Sequence, residues 1–321
     1  MMQLGLIGYP ISHSKSPEIF KRFFTNLQSD TANPKTLFIQ WDYQLLPLES
    51  INDLINLLLK NNQILGLNVT IPHKISIIPF IEFLSVEAAN IQSVNTVCVI
   101  PKKLNTAFEL SLKKLNINCL SNPSFNEEIT KYPSNKVEQN TKDSQPPHTF
   151  KSHAHENFFE NFSLWGFNSD YYGIKASIQT LCPSKPISAI VLGDGGSAKT
   201  VKYVLNELNI PFQTYNRSTK NPQTLHWDKL HQIEPDTLFI NTTPIGMWPH
   251  ISEFPPIPFH LVKPNCKFLD LIYNPEITLA MQEFIKRSCI AMNGKLMLQQ
   301  QAEKSWEIFQ LAGEVVSIPP Q

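Results

Sequence analysis

Glycine is scarce in this chain, 11 of 321 residues, so the glycines that remain mark backbone positions where a side chain cannot sit. A surplus of either charge is also missing: 27 Lys and Arg balance 27 Asp and Glu. No global field therefore draws in nucleic acid or an anionic membrane surface, and any anionic ligand has to be held locally. No apolar run approaches the roughly 18 residues of a membrane span. The start, MMQLGLIGYP, lacks the basic and apolar regions of a secretory leader, so a cytoplasmic location is expected. The cysteines, Cys98, Cys119, Cys182, Cys266 and Cys289, are odd in number and form no Cys-x-x-Cys pair. That argues for reduced, mostly buried thiols and against a zinc or dithiol centre. No internal repeat is visible.

At 321 residues the chain exceeds the usual size of one core, so two domains are expected. A hydrophobic fraction of 42% against 17% charged excludes wholesale disorder. The expected class is α/β, because strand-like and helix-like stretches alternate. Strands are read at 3–8, 37–43 and 65–71. Helices start near Ser16, run over 51–60, and include one carrying Ile75, Ile78, Phe80, Ile81 and Leu84. Ser16 before Pro17 reads as an N-cap with proline at the first helical position. From about Lys102 to Phe162 the composition turns to Asn, Ser, Lys, Glu and Pro. That stretch reads as a disordered surface insertion with one short helix over 104–115. From Trp165 onward strands are read at 187–192, 211–215, 238–241 and 268–272, with helices over 201–208 and 296–311. The expected division is 1–101 for a first domain, 102–163 for the insertion, 164–290 for a second domain, and 291–321 for a helix that returns to the first.

The segment IVLGDGGSAKTV sets Gly193, Gly195 and Ala198 in a G-x-G-x-x-A pattern between an apolar strand and a helix, the context that a dinucleotide-binding turn demands. Gly193 makes the tight turn, Gly195 lets the backbone approach a pyrophosphate, and Ala198 permits close helix packing. The amides of Gly196 and Ser197 at the helix start face the phosphates. An NAD site ends the next strand, about 20 residues on, with a carboxylate for the ribose 2′-hydroxyl. Here the chain reads Tyr215-Asn216-Arg217-Ser218 instead. A guanidinium between amide and hydroxyl groups suits a 2′-phosphate, which favours NADP; taken alone, Arg217 reads as a solvated surface charge.

Three segments of polar residues fall at strand-to-helix junctions. In ISHSKSPEIF, Ser14 and Ser16 can hold a carboxylate at a helix start, or simply cap it. In GLNVTIPHK, Asn68, Thr70 and Lys74 lie around a proline turn, and a lysine there can exchange protons if desolvation lowers its pKa. Alone, Lys74 reads as a surface residue and His73 as a packing or turn residue. In GFNSDYYG, Asp170 can orient such a lysine or cap a helix.

Taken in order, ISHSKSP, NVTIPHK, SVNT, GFNSD, VLGDGGSAKT, NRS, NTTPIGM, DLIYNP and NGKLMLQQQAEKSW closely resemble the shikimate dehydrogenase family. The resemblance covers the chain except 102–162. It implies two α/β lobes, an N-terminal substrate-binding domain and a Rossmann domain for NADP, with substrate between them and a C-terminal helix returning to the first lobe. By motif position Ser14 and Ser16 match the carboxylate ligands of shikimate, and Asn68, Thr70, Asn95, Asp170 and Gln301 its hydroxyl-binding set. Lys74 matches the catalytic lysine with Asp170 as partner, and Asn216, Arg217 and Ser218 match the 2′-phosphate clamp. Thr242, Met247, Ile272 and Tyr273 correspond to the nicotinamide and cleft edge, Tyr273 near substrate, and Gly294 to the turn before the closing helix. No metal is implied; the partners are small molecules, not nucleic acid or membrane, and the assembly is a monomer or homodimer. Leu296 and Ser169 depart mildly from the family pattern, and the insertion departs strongly. His148, His153 and His155 within it read as a His-rich tract rather than a metal site. Two rival readings are an NAD-preferring quinate or shikimate dehydrogenase and a non-catalytic shikimate-binding regulator.

Overall fold

The computed structural model describes residues 1–29, 39–123, 125, 153–218 and 221–317. They fall into two compact units, Met1–Asn168 with Ser305–Gln321, and Ser169–Lys304.

The first unit contains β1 (Met2–Gly8), α1 (Ser16–Ser29), β2 (Trp41–Pro47), α2 (Leu54–Lys60), β3 (Ile64–Val69), α3 (His73–Ser76), β4 (Phe83–Ser85), α4 (Val86–Ile91), β5 (Thr96–Pro101), α5 (Asn105–Lys114), β6 (Cys119–Ser121), α6 (His153–Asn161) and β7 (Phe162–Phe167). Its sheet has the order β2-β1-β3-β5-β7-β4-β6. The pairs from β2 to β3 are parallel, while β5 runs antiparallel to both β3 and β7. Every residue of β3, ILGLNV, is buried, as befits a central strand covered on both faces.

Three expectations change here. The helix expected to carry Ile75 to Leu84 is instead the short α3, a 3-10 turn at Ile78–Phe80, and β4. Pro79 has no N–H to continue a helix, so the apolar residues reach the core from an irregular backbone. The strand expected at 37–43 is seen at Trp41–Pro47, in register with β1 along its whole length; residues 37 and 38 lie outside the described set. The stretch 102–163 is anchored at both ends. Phe108 and Leu112 on α5, Phe125, and Phe158 and Phe159 on α6 are all buried, and β7 pairs with β5 over Thr96–Pro101. The division between units therefore falls at Asn168/Ser169 rather than at 163/164, because β7 belongs to the first sheet. Residues 126–152, with His148 and the disorder expected there, lie outside the described residues.

The second unit contains α7 (Asp170–Leu181), β8 (Ser188–Leu192), α8 (Gly196–Glu207), β9 (Phe212–Asn216), β10 (Thr224–His226), β11 (Thr237–Asn241), β12 (Lys267–Asp270), α9 (Leu279–Lys286), β13 (Ile290–Met292) and the start of α10 (Lys295–Ser317). Its sheet is parallel throughout, in the order β10-β9-β8-β11-β12-β13. This is the doubly wound order, with the reversal point between β8 and β11, where such sheets bind ligands beyond their strand ends. From Ser305 onward α10 counts with the first unit: Trp306 stacks on Phe23 with ring centroids 6.1 Å apart, and Phe309 packs against Gly66. Among the described residues no helix is long and apolar enough to cross a membrane.

Candidate active site

In the first unit, β1 and β3 end side by side and the turn after each is tied to the other. The Thr70 N–H donates to the Ile7 carbonyl at 2.9 Å, and the Tyr9 N–H to the Ile71 carbonyl at 3.1 Å. Gly8 (φ +155°) sits at the crossing, where an added Cβ would lie 2.8 Å from the Ile71 oxygen. Beyond it, the Ser14 Oγ accepts from the Ser16 N–H at 3.2 Å and donates to the Ser16 Oγ at 3.1 Å. The hydroxyl that accepts at the helix start is thus Ser14's, with Ser16 the first helical residue. Both side chains are half-buried, and two hydroxyls at a helix N-terminus suit a carboxylate without a formal cation.

Asn68 lies on β3 opposite Thr96. Its Oδ1 accepts from the Tyr43 hydroxyl at 2.9 Å, and its Nδ2 donates to the Ser305 Oγ at 3.1 Å. The Thr96 Oγ1 lies 2.8 Å from the Ser305 Oγ and donates to the Asn95 Oδ1 at 3.3 Å. Asn95, 3% exposed, is fixed by its backbone: its N–H donates to Phe167 at 3.0 Å, and its carbonyl accepts from Val69 at 2.8 Å. Burial pushes the Tyr43 phenol well up, against a hydrogen bond with Ser16. Thr70 and Lys74 are half-buried. The Lys74 carbonyl accepts from the Val94 N–H at 2.8 Å, so the backbone that carries this lysine is held on both sides of the 70–73 turn. His73 is buried with its Nε2 2.6 Å from the Leu48 carbonyl, which makes it a packing residue. Ser14, Ser16, Asn68, Thr70, Lys74 and Asn95 thus all sit at strand ends of one sheet or on the turns and helix starts that follow them. Tyr43, Thr96 and Ser305, which hold Asn68, were not singled out by sequence reasoning, although Thr96 and Ser305 lie inside the SVNT and QAEKSW segments.

In the second unit Asp170 is the first residue of α7 and is 6% exposed. The Ser169 Oγ before it donates to the Gln301 Oε1 at 3.4 Å. Gly173, one turn on, lets α7 approach α10 closely: an added Cβ would meet the Met297 oxygen at 2.5 Å. The glycine turn is built as its pattern demands. Gly193 (φ +104°) has no room for a Cβ, which would lie 2.6 Å from the Thr242 Oγ1, whereas a Cβ on Gly195 or Gly196 would meet nothing within 4 Å. The first glycine therefore makes the turn and the next two leave a cradle open in front of α8, with Ala198 fully buried behind it. Ser197 is half-buried. Thr242 fixes the neighbouring strand end by donating through its Oγ1 to the Leu192 carbonyl at 2.7 Å. Asn216 ends β9 half-buried, and Arg217 and Ser218 follow it exposed.

The far side of this sheet end rests on a buried network. Asp270 is fully buried and accepts from the Asn241 Nδ2 at 3.0 Å, the Ile272 N–H at 3.1 Å and the Thr278 Oγ1 at 2.8 Å. Its carboxyl is pushed up to about 6 because burial outweighs these donors. The network anchors Ile272, which is buried, and burial pushes up the phenol of the neighbouring Tyr273. The Gly294 N–H donates to the Ile272 carbonyl at 2.9 Å, and Met247 stands exposed at the mouth of the β11 turn. Asn241, Asp270 and Thr278 were likewise missed by sequence reasoning; the first two open NTTPIGM and DLIYNP. His155 has its Nε2 3.1 Å from the Asn56 Oδ1. Among the described residues no group of three or more His, Cys, Asp or Glu could hold a metal ion.

Residues 6–97 match the family model of the shikimate dehydrogenase substrate binding domain. A shikimate dehydrogenase (NADP(+)) of Clostridium botulinum is 27% identical over 98% of both chains. One of Methanococcus aeolicus is 26% identical over 95% of this chain and 91% of its own. The chain is thus similar to the shikimate dehydrogenase family along nearly its whole length. It carries a mixed sheet followed by a parallel one. The solved shikimate 5-dehydrogenase of Thermus thermophilus, a complex with NADP(H) and shikimate, aligns with a TM-score of 0.63 over 98% of this chain and 99% of its own. At 18% identity that likeness speaks to the fold.

Proposed function

We propose that this chain is an NADP-dependent shikimate dehydrogenase, which reversibly reduces 3-dehydroshikimate to shikimate on the route to chorismate and the aromatic amino acids. The observation that carries the proposal is the nearly full-length likeness to curated shikimate dehydrogenases (NADP(+)). The cradle fits the cofactor, being open at Gly195 and Gly196, tight at Gly193, and followed by Asn216-Arg217-Ser218 where an NAD site carries a carboxylate.

When bound, NADP supplies the nicotinamide that accepts or returns the hydride at C3 of the substrate. Gly195, Gly196 and Ser197 hold the pyrophosphate on the turn that Gly193 makes and Ala198 backs, and Asn216, Arg217 and Ser218 hold the 2′-phosphate. Thr242, Met247, Ile272 and Gly294 line the nicotinamide end. Ser14 and Ser16 bind the carboxylate of shikimate, and Asn68, Thr70, Asn95, Tyr273 and Gln301 orient its hydroxyls. Lys74 takes the proton of the C3 hydroxyl and returns it to the ketone in the reverse direction, and Asp170 orients the lysine for both steps. One group thus serves as base in one direction and as acid in the other. A cytoplasmic location and a monomeric or homodimeric state complete the proposal.

The test is reduction of nicotinamide, followed by its absorbance, with shikimate and either NADP or NAD, on wild type and Lys74→Ala. Turnover with NADP in wild type and its loss in the variant are expected. A wild-type chain that binds shikimate but reduces neither cofactor would point to a regulator instead.

A further inference from the structure

The second position of the glycine turn holds Asp194, a residue of the wrong sign for a turn whose amides face phosphates. An uncompensated carboxylate there would repel the dinucleotide. The protein engages both of its oxygens. Lys202, further along α8, donates to Oδ1 at 2.6 Å, and the two side chains are only 21% and 14% exposed. Oδ2 accepts from the Asn221 Nδ2 at 3.2 Å and from the Thr224 Oγ1 at 2.9 Å. Burial pushes the carboxyl upward, but these donors and the Lys202 charge hold it below its ordinary range.

Those partners define a position in the fold. Asn221 and Thr224 lie just beyond Asn216-Arg217-Ser218, where the chain crosses from β9 to β10. Thr224 is 3% exposed, and its N–H donates to the Asn221 carbonyl at 2.9 Å. On the near side of the same segment the Gly193 N–H donates to the Tyr215 carbonyl at 2.8 Å. The clamp residues are thus suspended between two attachments made by adjacent residues of the glycine turn. One is a backbone bond from Gly193 and the other a side-chain bond to Asp194.

We propose that Asp194 is a positioning residue for the adenosine end of the dinucleotide, a latch that ties the glycine turn to the segment behind Arg217 and sets the preference for a 2′-phosphate. This rests on the cofactor reading above. With both oxygens engaged, Asp194 is withheld from the ribose 2′-hydroxyl, the contact by which a carboxylate selects NAD. Lys202 has two effects: it neutralises the charge and keeps the carboxylate turned toward Asn221 and Thr224.

The experiment is to titrate NADP and NAD separately into the full chain, by calorimetry or protein fluorescence, for wild type, Asp194→Ala, Asp194→Asn and Lys202→Met, with thermal unfolding of each as a check of folding. Asp194→Ala is expected to weaken NADP by about tenfold, the scale of one lost charge-assisted bond, and to affect NAD much less. Asp194→Asn, which keeps an acceptor for Asn221 and Thr224, is expected to recover most of the loss. Lys202→Met frees a carboxylate beside the site and is expected to lower the NADP-to-NAD preference. Should Asp194→Ala not fold, Lys202→Met decides by the same preference ratio. NADP preference in wild type that persists unchanged in folded Asp194→Ala and Lys202→Met overturns the latch alone. A wild type without NADP preference overturns the cofactor reading and the latch with it.

Discussion

The two units assemble their proposed functional groups in opposite ways. In the second, a parallel sheet presents one turn, Gly193 to Ala198, whose residues are consecutive and whose geometry follows from backbone conformation: a positive φ, an open cradle, and a buried alanine behind. In the first, a mixed sheet gathers Ser14, Asn68, Asn95 and Lys74 from separate junctions. It then secures Asn68 with Ser305, 237 residues away along the chain. A local site of the first kind tolerates changes elsewhere in its unit, whereas a gathered site depends on the packing that brings its pieces together.

The sharpest way to press that contrast is Lys74→Ala, which should lower kcat by about 10²- to 10⁴-fold, the range for losing a general acid or base, without changing NADP affinity. An equal loss of NADP binding would erase the separation of roles. Next comes Phe158→Ala on α6, a buried residue of the first core. Its loss should cost about 3–5 kcal/mol of stability in denaturant unfolding, and shikimate affinity should fall with it. A stable variant would mean that α6 is dispensable to the gathered site.

In the second unit the largest expected effect is on stability rather than chemistry. The Asp270 carboxyl keeps its proton in the folded chain to about 6, but loses it near ~3.9 when unfolded. Between those values the folded state binds more protons, so stability falls as pH rises through the window, by on the order of 3 kcal/mol, and levels off above it. Asp270→Asn should flatten that stretch of a stability-versus-pH curve. The smallest effect expected is that of Arg217→Ala, which should raise KM for NADP by about tenfold and leave KM for NAD and for shikimate nearly unchanged.

The same contrast explains what the sequence disclosed. Gly193, Gly195 and Ala198 could be read because a dinucleotide turn is a local conformational demand, and the parallel strands around it are short apolar runs. The residues that hold the first unit's site were harder to see. Ser305 sits on a helical face that reads as core, and its bond to Asn68 exists only because α10 returns to the first sheet. Asp270 likewise gives no sign in sequence that it will be buried among Asn241, Ile272 and Thr278. Around Ile75 to Leu84 the apolar spacing imitated a helix and Pro79 denied it. The stretch 102–163 hid its anchors because Phe108, Leu112, Phe158 and Phe159 flank a polar run that dominates the composition.

The most direct measurement follows the hydrogen itself. Shikimate deuterated at C3, incubated with NADP and this protein, should yield NADPH that carries the deuterium on its nicotinamide ring, read by mass spectrometry. Deuterium that stays on recovered shikimate, or passes to water while the nicotinamide remains unlabelled, would contradict hydride transfer at that carbon.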